Sequence, residues 1–288
     1  MTFETHPARR LWAGIEPLHA LVYFAPEVAE GAKAIGLKGW FMGYFAGRAA
    51  PLGAVGPEAV TAMFFGFAPD RVQRALPDAW AFAPPEKVLA TQLETVDRAL
   101  ERALPPGSEA DQERLVTLLE HAVGNCDFGG RPLAAAWSAV RLPDDASARL
   151  RLWRAATVLR EHRGDGHVLA CVDHGLDGLH AAITHAATGL TPGQRVQTTR
   201  GWTEAQWERA LVDLIGRGIL DSAGDLTDTG TALRTSVEEA TNRLASAPLR
   251  ALGEYAVEEA VNLAVPLARY IMDTDAVPVP NPVGIVRP

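Results

Sequence analysis

His19 and Tyr23 stand four residues apart, and so do Tyr44 and Arg48. On a helix, each pair shares a face one turn apart. A histidine beside a phenol can pass a proton. A guanidinium in an apolar, glycine-rich stretch needs a carboxylate or an anionic ligand, and a salt bridge to Glu16 or Glu27 would satisfy Arg48 as well as a ligand would. These four residues and Trp40 fall in an aromatic-rich region, since thirteen of the twenty aromatic residues precede position 83. Such clusters form core. They also line small-molecule sites, which are apolar with a few placed polar groups. Gly39, Gly43 and Gly47 recur every four residues and leave one helix face bare, so a second helix or a flat ligand can come close.

A second concentration is Arg160, Glu161, His162, Arg163, Asp165 and His167, six ionisable side chains in eight residues. Gly164 and Gly166 permit a tight turn here, so the segment reads as a loop between a long helix ending at His162 and the next apolar stretch. It serves either as a solvated helix end, with cations at the negative dipole, or as a site, since loops between rigid helices carry function. A metal site of His162, His167 and Asp165 is less favoured, because a turn separates the histidines. His174, His180 and His185 match no zinc pattern. A lone His19 or His185 could ligate haem iron, though a satisfied core histidine is commoner. Cys126 and Cys171 form no CxxC, and Cys126 sits in a turn as an inert thiol. There is no GxGxxG, Walker or GxSxG motif.

Those residues need elements to hold them, and the composition supplies a folded chain. Hydrophobic residues at 48% and charged residues at 22% exclude disorder, and 288 residues suffice for one large or two ordinary domains. A net charge of −8 lowers the prior for a polyanion partner, although a local basic patch could restore it. The N-terminal Met1-Thr2-Phe3-Glu4-Thr5-His6-Pro7 has no cationic segment before an apolar stretch, and apolar runs are too short for a membrane span. The expected location is cytoplasmic, with no membrane partner.

Helical periodicity dominates. Helices are expected over residues 7–24 (bent at Pro17), 26–35, 39–49, 57–65, 69–76, 85–104, 109–123, 146–162 and 254–272. The proline-alternating tail from Val277 to Pro282 should be extended. We read residues 1–142 as an all-helical aromatic-rich region, 143–275 as a winged-helix-like region with a terminal helix, and 276–288 as a proline-rich tail.

The winged reading rests on residues 201–244. Thr203 and Gln206 make a capping box, Trp207, Ala210, Leu211 and Leu214 form one face, and Gly216 and Gly218 end the helix. Ile219 to Thr227 then reads as two short strands about a glycine turn, a small β-hairpin wing, before a helix with Leu233, Val237, Ala240 and Leu244 inside. The fold class expected is therefore mainly α with this β-hairpin. As a DNA reader the segment is poor: Glu204, Glu208, Asp213, Asp221, Asp225 and Asp228 face only Arg209 and Arg217, with Arg195 and Arg200 upstream. Scaffold or dimerisation element is the preferred role.

The phrases EPLHALVYFAPE (Glu16 to Glu27), GYFAGRAAPLG (Gly43 to Gly53), LREHRGDGHV (Leu159 to Val168) and TRGWTEAQW (Thr199 to Trp207) resemble an actinobacterial family of unassigned function labelled helix-turn-helix or MarR-like. The resemblance spans nearly the whole chain. It implies that His19, Tyr23, Tyr44, Arg48, Arg160, Glu161, Arg163, Asp165 and His167 line any shared site, and the aromatic cluster adds Trp40. The leading expectation is a small-molecule-binding protein with no cofactor specified, its arginines holding an anionic group, with an enzyme of specialised metabolism as its catalytic form. The alternatives are a ligand-responsive MarR-like regulator and a haem or metal protein. The last helix is expected to act as a homodimer arm, as in MarR-like proteins.

Overall fold

A computed structural model describes residues 5–281 and 283–288. Residues 1–4, most of the segment read for a leader, and Pro282 of the tail lie outside the described residues. Proline at the first helical positions starts many of the helices, because its missing N–H is one the helix cannot use there. This holds for α1 (Pro7–Phe24), α2 (Pro26–Ala34), α4 (Pro57–Phe64), α5 (Pro69–Gln73), α7 (Pro85–Ala103), α9 (Pro132–Ser138) and α15 (Ala247–Leu252). The others are α3 (Gly39–Ala49), α6 (Asp78–Phe82), α8 (Glu109–Val123), α10 (Ala148–Asp173), α11 (Gly178–Ala186), α12 (Gly193–Arg200), α13 (Glu204–Gly216), α14 (Asp228–Leu244) and α16 (Glu254–Asp273). Helix α1 runs on through Pro17.

The 26-residue α10 is the hub, packing against α1, α7, α8, α9 and α14. Its Trp153 is fully buried edge-on against Trp137 of α9. Helix α16 lays Val257, Ala260, Val261, Ala264, Leu267 and Ile271 against α1 and α8, so the apolar face of the expected dimer arm is buried within its own chain. A smaller core of Leu179, Ile183, Ala210, Leu214, Ile219 and Leu220 joins α11 and α13. In the tail, Asn281 accepts from the amides of Val283 and Ile285 and donates to the carbonyls of Pro278 and Ile285, stapling a non-helical turn.

Two expectations are corrected. The mainly-α assignment holds, but the β-hairpin wing is absent: among the described residues there is no strand, only one isolated antiparallel bridge between Leu220 and Leu226. The segment is too short to pair further. Asp221 accepts from the amides of Ala223 and Asp225 at 2.8 and 3.0 Å, committing these residues to a turn. Thr227 is already the N-cap of α14, accepting from Gly230 N at 3.1 Å.

The second correction concerns 160–167, which is no loop. Helix α10 continues through Gly164 and Gly166 to Asp173, and His162 and His167 lie on the same helix. A Cβ on Gly166 would meet Arg131 Nη1 at 2.6 Å and Leu244 Cβ at 3.3 Å, so the glycine permits a close approach and not a turn. Packing on several sides offsets a glycine penalty of about 1 kcal/mol within a helix.

Candidate functional site

The end of α1, α2, α3 and α7 enclose a cavity of about 800 Å3, within the usual size range for a drug-sized ligand. Val22, Val28, Ile35, Leu37 and Val88 make apolar wall, and Trp137 closes one side. The charged side chains lining it are all cationic: Lys33, Lys38 and Arg48. Two of the three lysines in the chain are thus at this cavity, both solvent-exposed. Gly43 and Gly47 line it too, and a Cβ on Gly47 would lie 2.3 Å from Gln92 Oε1. The bare strip of α3 therefore serves both helix crossing and cavity wall.

Five residues singled out from the sequence come together here. His19, Tyr23, Trp40, Tyr44 and Arg48 all line the cavity. Trp40 stacks on Tyr44 at 5.0 Å between ring centres and donates its indole N–H to the Tyr23 carbonyl at 3.1 Å. Tyr23 and Tyr44 rings are 5.1 Å apart. His19 is buried with both ring nitrogens occupied, Nδ1 by Thr157 Oγ1 at 2.9 Å and Nε2 by the Tyr23 hydroxyl at 2.7 Å. Desolvation, with Arg160 nearby, holds its pKa well below the usual histidine range. Burial pushes the Tyr23 phenol up. The pair is thus a neutral imidazole hydrogen-bonded to a protonated phenol at pH 7. With both nitrogens engaged, His19 has no free lone pair for a haem iron.

Arg48 has a partner that neither sequence candidate supplied. Its Nε and Nη2 donate to the two Glu161 oxygens at 2.9 and 2.8 Å, and Nη1 donates to the Tyr44 hydroxyl at 3.0 Å. Arg160 bridges Glu161 at 3.1 Å and Glu16 at 3.2 Å. Counted over directly bonded charges, two guanidiniums and two carboxylates form a buried, balanced network behind the cavity. Arg200 stands beside it, hydrogen-bonded to Tyr44, its pKa lowered by desolvation and by Arg48 and Arg160. Desolvation opposes the charge on Glu161, but Arg48 and Arg160 outweigh it and draw its pKa down to about 2. Arg48 is driven up by Glu161 in spite of burial.

The remaining sequence candidates lie elsewhere. Asp165 accepts from Ala134 N at 3.0 Å at the start of α9, and burial raises its pKa to about 6. Arg163 and His167 face α14: Arg163 donates to Glu238 at 3.2 Å and Asn242 at 3.1 Å, and His167 Nδ1 is 2.9 Å from Thr241 Oγ1. Cys171 is buried and Cys126 half-buried, and desolvation raises both thiols to about 11. Among the described residues no group of three or more His, Cys, Asp or Glu is placed to hold a metal ion. Nor is any helix there long and apolar enough to cross a membrane.

Sequence reasoning missed Gln92, Thr91 and Thr95 of the cavity wall. Their signal was present: polar residues at helical spacing on the inner face of α7, alongside Val88 and Val96.

Helices α12 and α13 form a helix–turn–helix. Gly201 takes the left-handed conformation (φ +83°) that ends α12, and the Thr203–Gln206 capping box opens α13. The turn is docked on the α4–α5 connection: Ala68 N donates to Arg200 O at 2.9 Å, the Trp202 indole to Gly66 O at 3.0 Å, and Arg71 to Thr198 O at 2.8 Å. Outward on α13 stand Glu204, Glu208, Asp213, Arg209 and the apolar Val212. Arg217 is tied to Asp213 at 3.5 Å, and Arg200 turns inward over Phe67 at 4.3 Å. A family model described as a helix-turn-helix family matches residues 8–278. No curated protein and no solved structure matches the chain.

Proposed function

The chain belongs to this helix-turn-helix family, and from that premise we propose that it binds a small, mainly apolar or aromatic molecule in the α1–α2–α3–α7 cavity. The observation that carries the reading is the cavity of about 800 Å3, apolar along its wall and edged by His19, Tyr23, Tyr44 and Arg48. The hydroxyls of Tyr23 and Tyr44 fix a polar end of the ligand, and Lys33 and Lys38 favour a negative group at the rim. Arg48 acts as a positioning residue, its charge met by Glu161.

Native mass spectrometry of the protein from its own host identifies a retained ligand. In vitro, the neutral fluorophore N-phenyl-1-naphthylamine should bind saturably. Gly43→Phe, which fills the cavity, should weaken that binding at least tenfold while leaving the circular dichroism spectrum unchanged. Equal binding by the filled variant would place the probe elsewhere and refute the reading.

Membership of a helix-turn-helix family favours a second reading, a regulator that binds DNA through α12–α13, of which a ligand-responsive MarR-like protein is the finer form. Electrostatics opposes it. A reading helix needs cations toward phosphate, whereas the outward carboxylates of α13 and the following turn outnumber Arg209 and Arg217, and Arg200 is spent inside. The scaffold role fits a turn that is docked on α4–α5. Fluorescence anisotropy with the DNA upstream of its own gene, at 50 and 200 mM salt, should show no specific, salt-sensitive binding; a steep salt slope would promote the regulator.

A further inference from the structure

One turn along α10 from the balanced network lies a second arginine cluster that is not balanced. Glu238 of α14 receives Arg163 Nη2 at 3.2 Å, Arg234 Nη2 at 3.1 Å and Arg9 Nη1 at 3.6 Å. Three guanidiniums therefore share one carboxylate. Arg163 and Arg234 are only 7% and 9% exposed. Arg163 Nε and both Nε and Nη1 of Arg234 are buried with no hydrogen-bond partner among the described residues. Glu16 also acts on Arg163, but its carboxylate is bonded to Arg160, and among the described residues no carboxylate other than Glu238 pairs with the cluster. His167 and His185 are held neutral, desolvation taking both to about 4, and His6 is lowered by its own desolvation and by Arg163. Thr241 and Asn242 are uncharged. Desolvation also lowers the pKa of Arg163, Glu238 notwithstanding.

Burying donors without acceptors is costly, and burying unmatched charge more so. A chain with a formal charge of −8 has carboxylates to spare, yet among the described residues only Glu238 pairs with these three arginines. We propose that Arg9, Arg163 and Arg234 form a binding site for a tetrahedral oxyanion of the phosphate or sulfate class. Unpartnered N–H groups on two side chains from different helices call for acceptor oxygens in more than one plane. A tetrahedral anion supplies these and a planar carboxylate does not. Arg9 is the most exposed of the three, its side chain 25% exposed. Trp12, under the guanidiniums of Arg9 at 4.5 Å and Arg163 at 5.0 Å, fixes the arginine planes and gives a fluorescent reporter.

The test is calorimetric titration of the intact protein at constant ionic strength, with inorganic phosphate, sulfate, acetate and chloride as probes. Phosphate or sulfate should bind saturably, acetate at least tenfold more weakly, and chloride not at all. Arg234→Met should raise the phosphate Kd at least tenfold, a loss of about 1.4 kcal/mol. Arg234→Lys keeps the charge but not the fork; it serves should the methionine variant fail to fold, and should weaken binding severalfold with an unchanged circular dichroism spectrum. Phenyl phosphate binding tenfold tighter than inorganic phosphate identifies the anion as part of a larger ligand, and equal affinity identifies a free ion. Absence of saturable binding, or equal affinity in wild type and both Arg234 variants (an adventitious ion only), would overturn the proposal.

Discussion

Two arginine clusters sit on successive turns of α10 and obey different arithmetic. Around Glu161, Arg48 and Arg160 meet Glu16 and Glu161, charge for charge, with geometry close enough to hold Glu161 ionised down to about pH 2. Around Glu238, Arg9, Arg163 and Arg234 meet one carboxylate among the described residues and leave buried N–H groups without a partner there. Both are buried and both belong to the same helix packing. In the first, each directly bonded guanidinium has a carboxylate, with Arg200 alongside on Tyr44. The second leaves donors without acceptors among the described residues, which is the ground for the proposed anion. Burial of arginine is thus a poor guide to function until the carboxylates and donors around it are counted.

The largest effect should come from breaking the balanced cluster. Glu161→Gln leaves two buried guanidiniums short of a partner and should cost roughly 3–5 kcal/mol, read as a lower midpoint in urea denaturation. The double variant Arg48→Met, Glu161→Leu should recover most of that loss. If Glu161→Gln proves neutral, the network is not the closed structural unit described.

Lowering the pH separates the clusters next. His167 and His185, beside the unbalanced cluster, and His162 have folded pKa values of about 4, below the unfolded value near 6.5. The folded state resists their protonation, so stability is full above pH 6.5 and falls as pH drops from 6.5 through 4, by on the order of 3 kcal/mol after discounting for partial exposure. Asp165, raised to about 6, works in the opposite sense and trims the loss. Glu161 and Glu238, both lowered to about 2, keep their contribution until pH falls below about 4.5 and lose it toward 2. Urea titrations at pH 7, 5 and 4 check the slope, and a flat profile between 7 and 5 would remove the histidines from the account.

Arg234→Met should change the stability of the anion-free protein by about 1 kcal/mol or less, and in the stabilising direction, because it removes surplus charge. The contrast with Glu161→Gln in the same denaturation assay is the sharpest test of the two arithmetics. The smallest effect belongs to the exposed pair Arg114–Glu259: Arg114→Ala should leave the Tm unchanged within error, showing that arginines as such are not what matters.

Much of the helical framework was legible. Proline at the first turn, glycine past the last and a three-residue capping box are local devices, so α1, α3, α7, α8, α13 and α16 could be bounded from sequence to within a residue or two. The i, i+4 pairs His19–Tyr23 and Tyr44–Arg48 were legible for the same reason, and both face the cavity. The misreadings fell where local rules permit two outcomes. Gly164 and Gly166 signal a turn on their own and a close helix crossing only once α14 and Arg131 are in place. Residues 219–227 alternate like a hairpin but lack the length to build one beside a turn and a cap.

What the sequence by itself determined was therefore the set of helices and the side chains that share a face within one helix, because hydrogen bonding and periodicity act over a few residues. Tertiary structure alone decided that Arg48 meets Glu161, 113 residues away, and that Arg9, Arg163 and Arg234 converge on Glu238. Charge balance is a property of a volume, and no stretch of chain records which distant carboxylates will be packed into it.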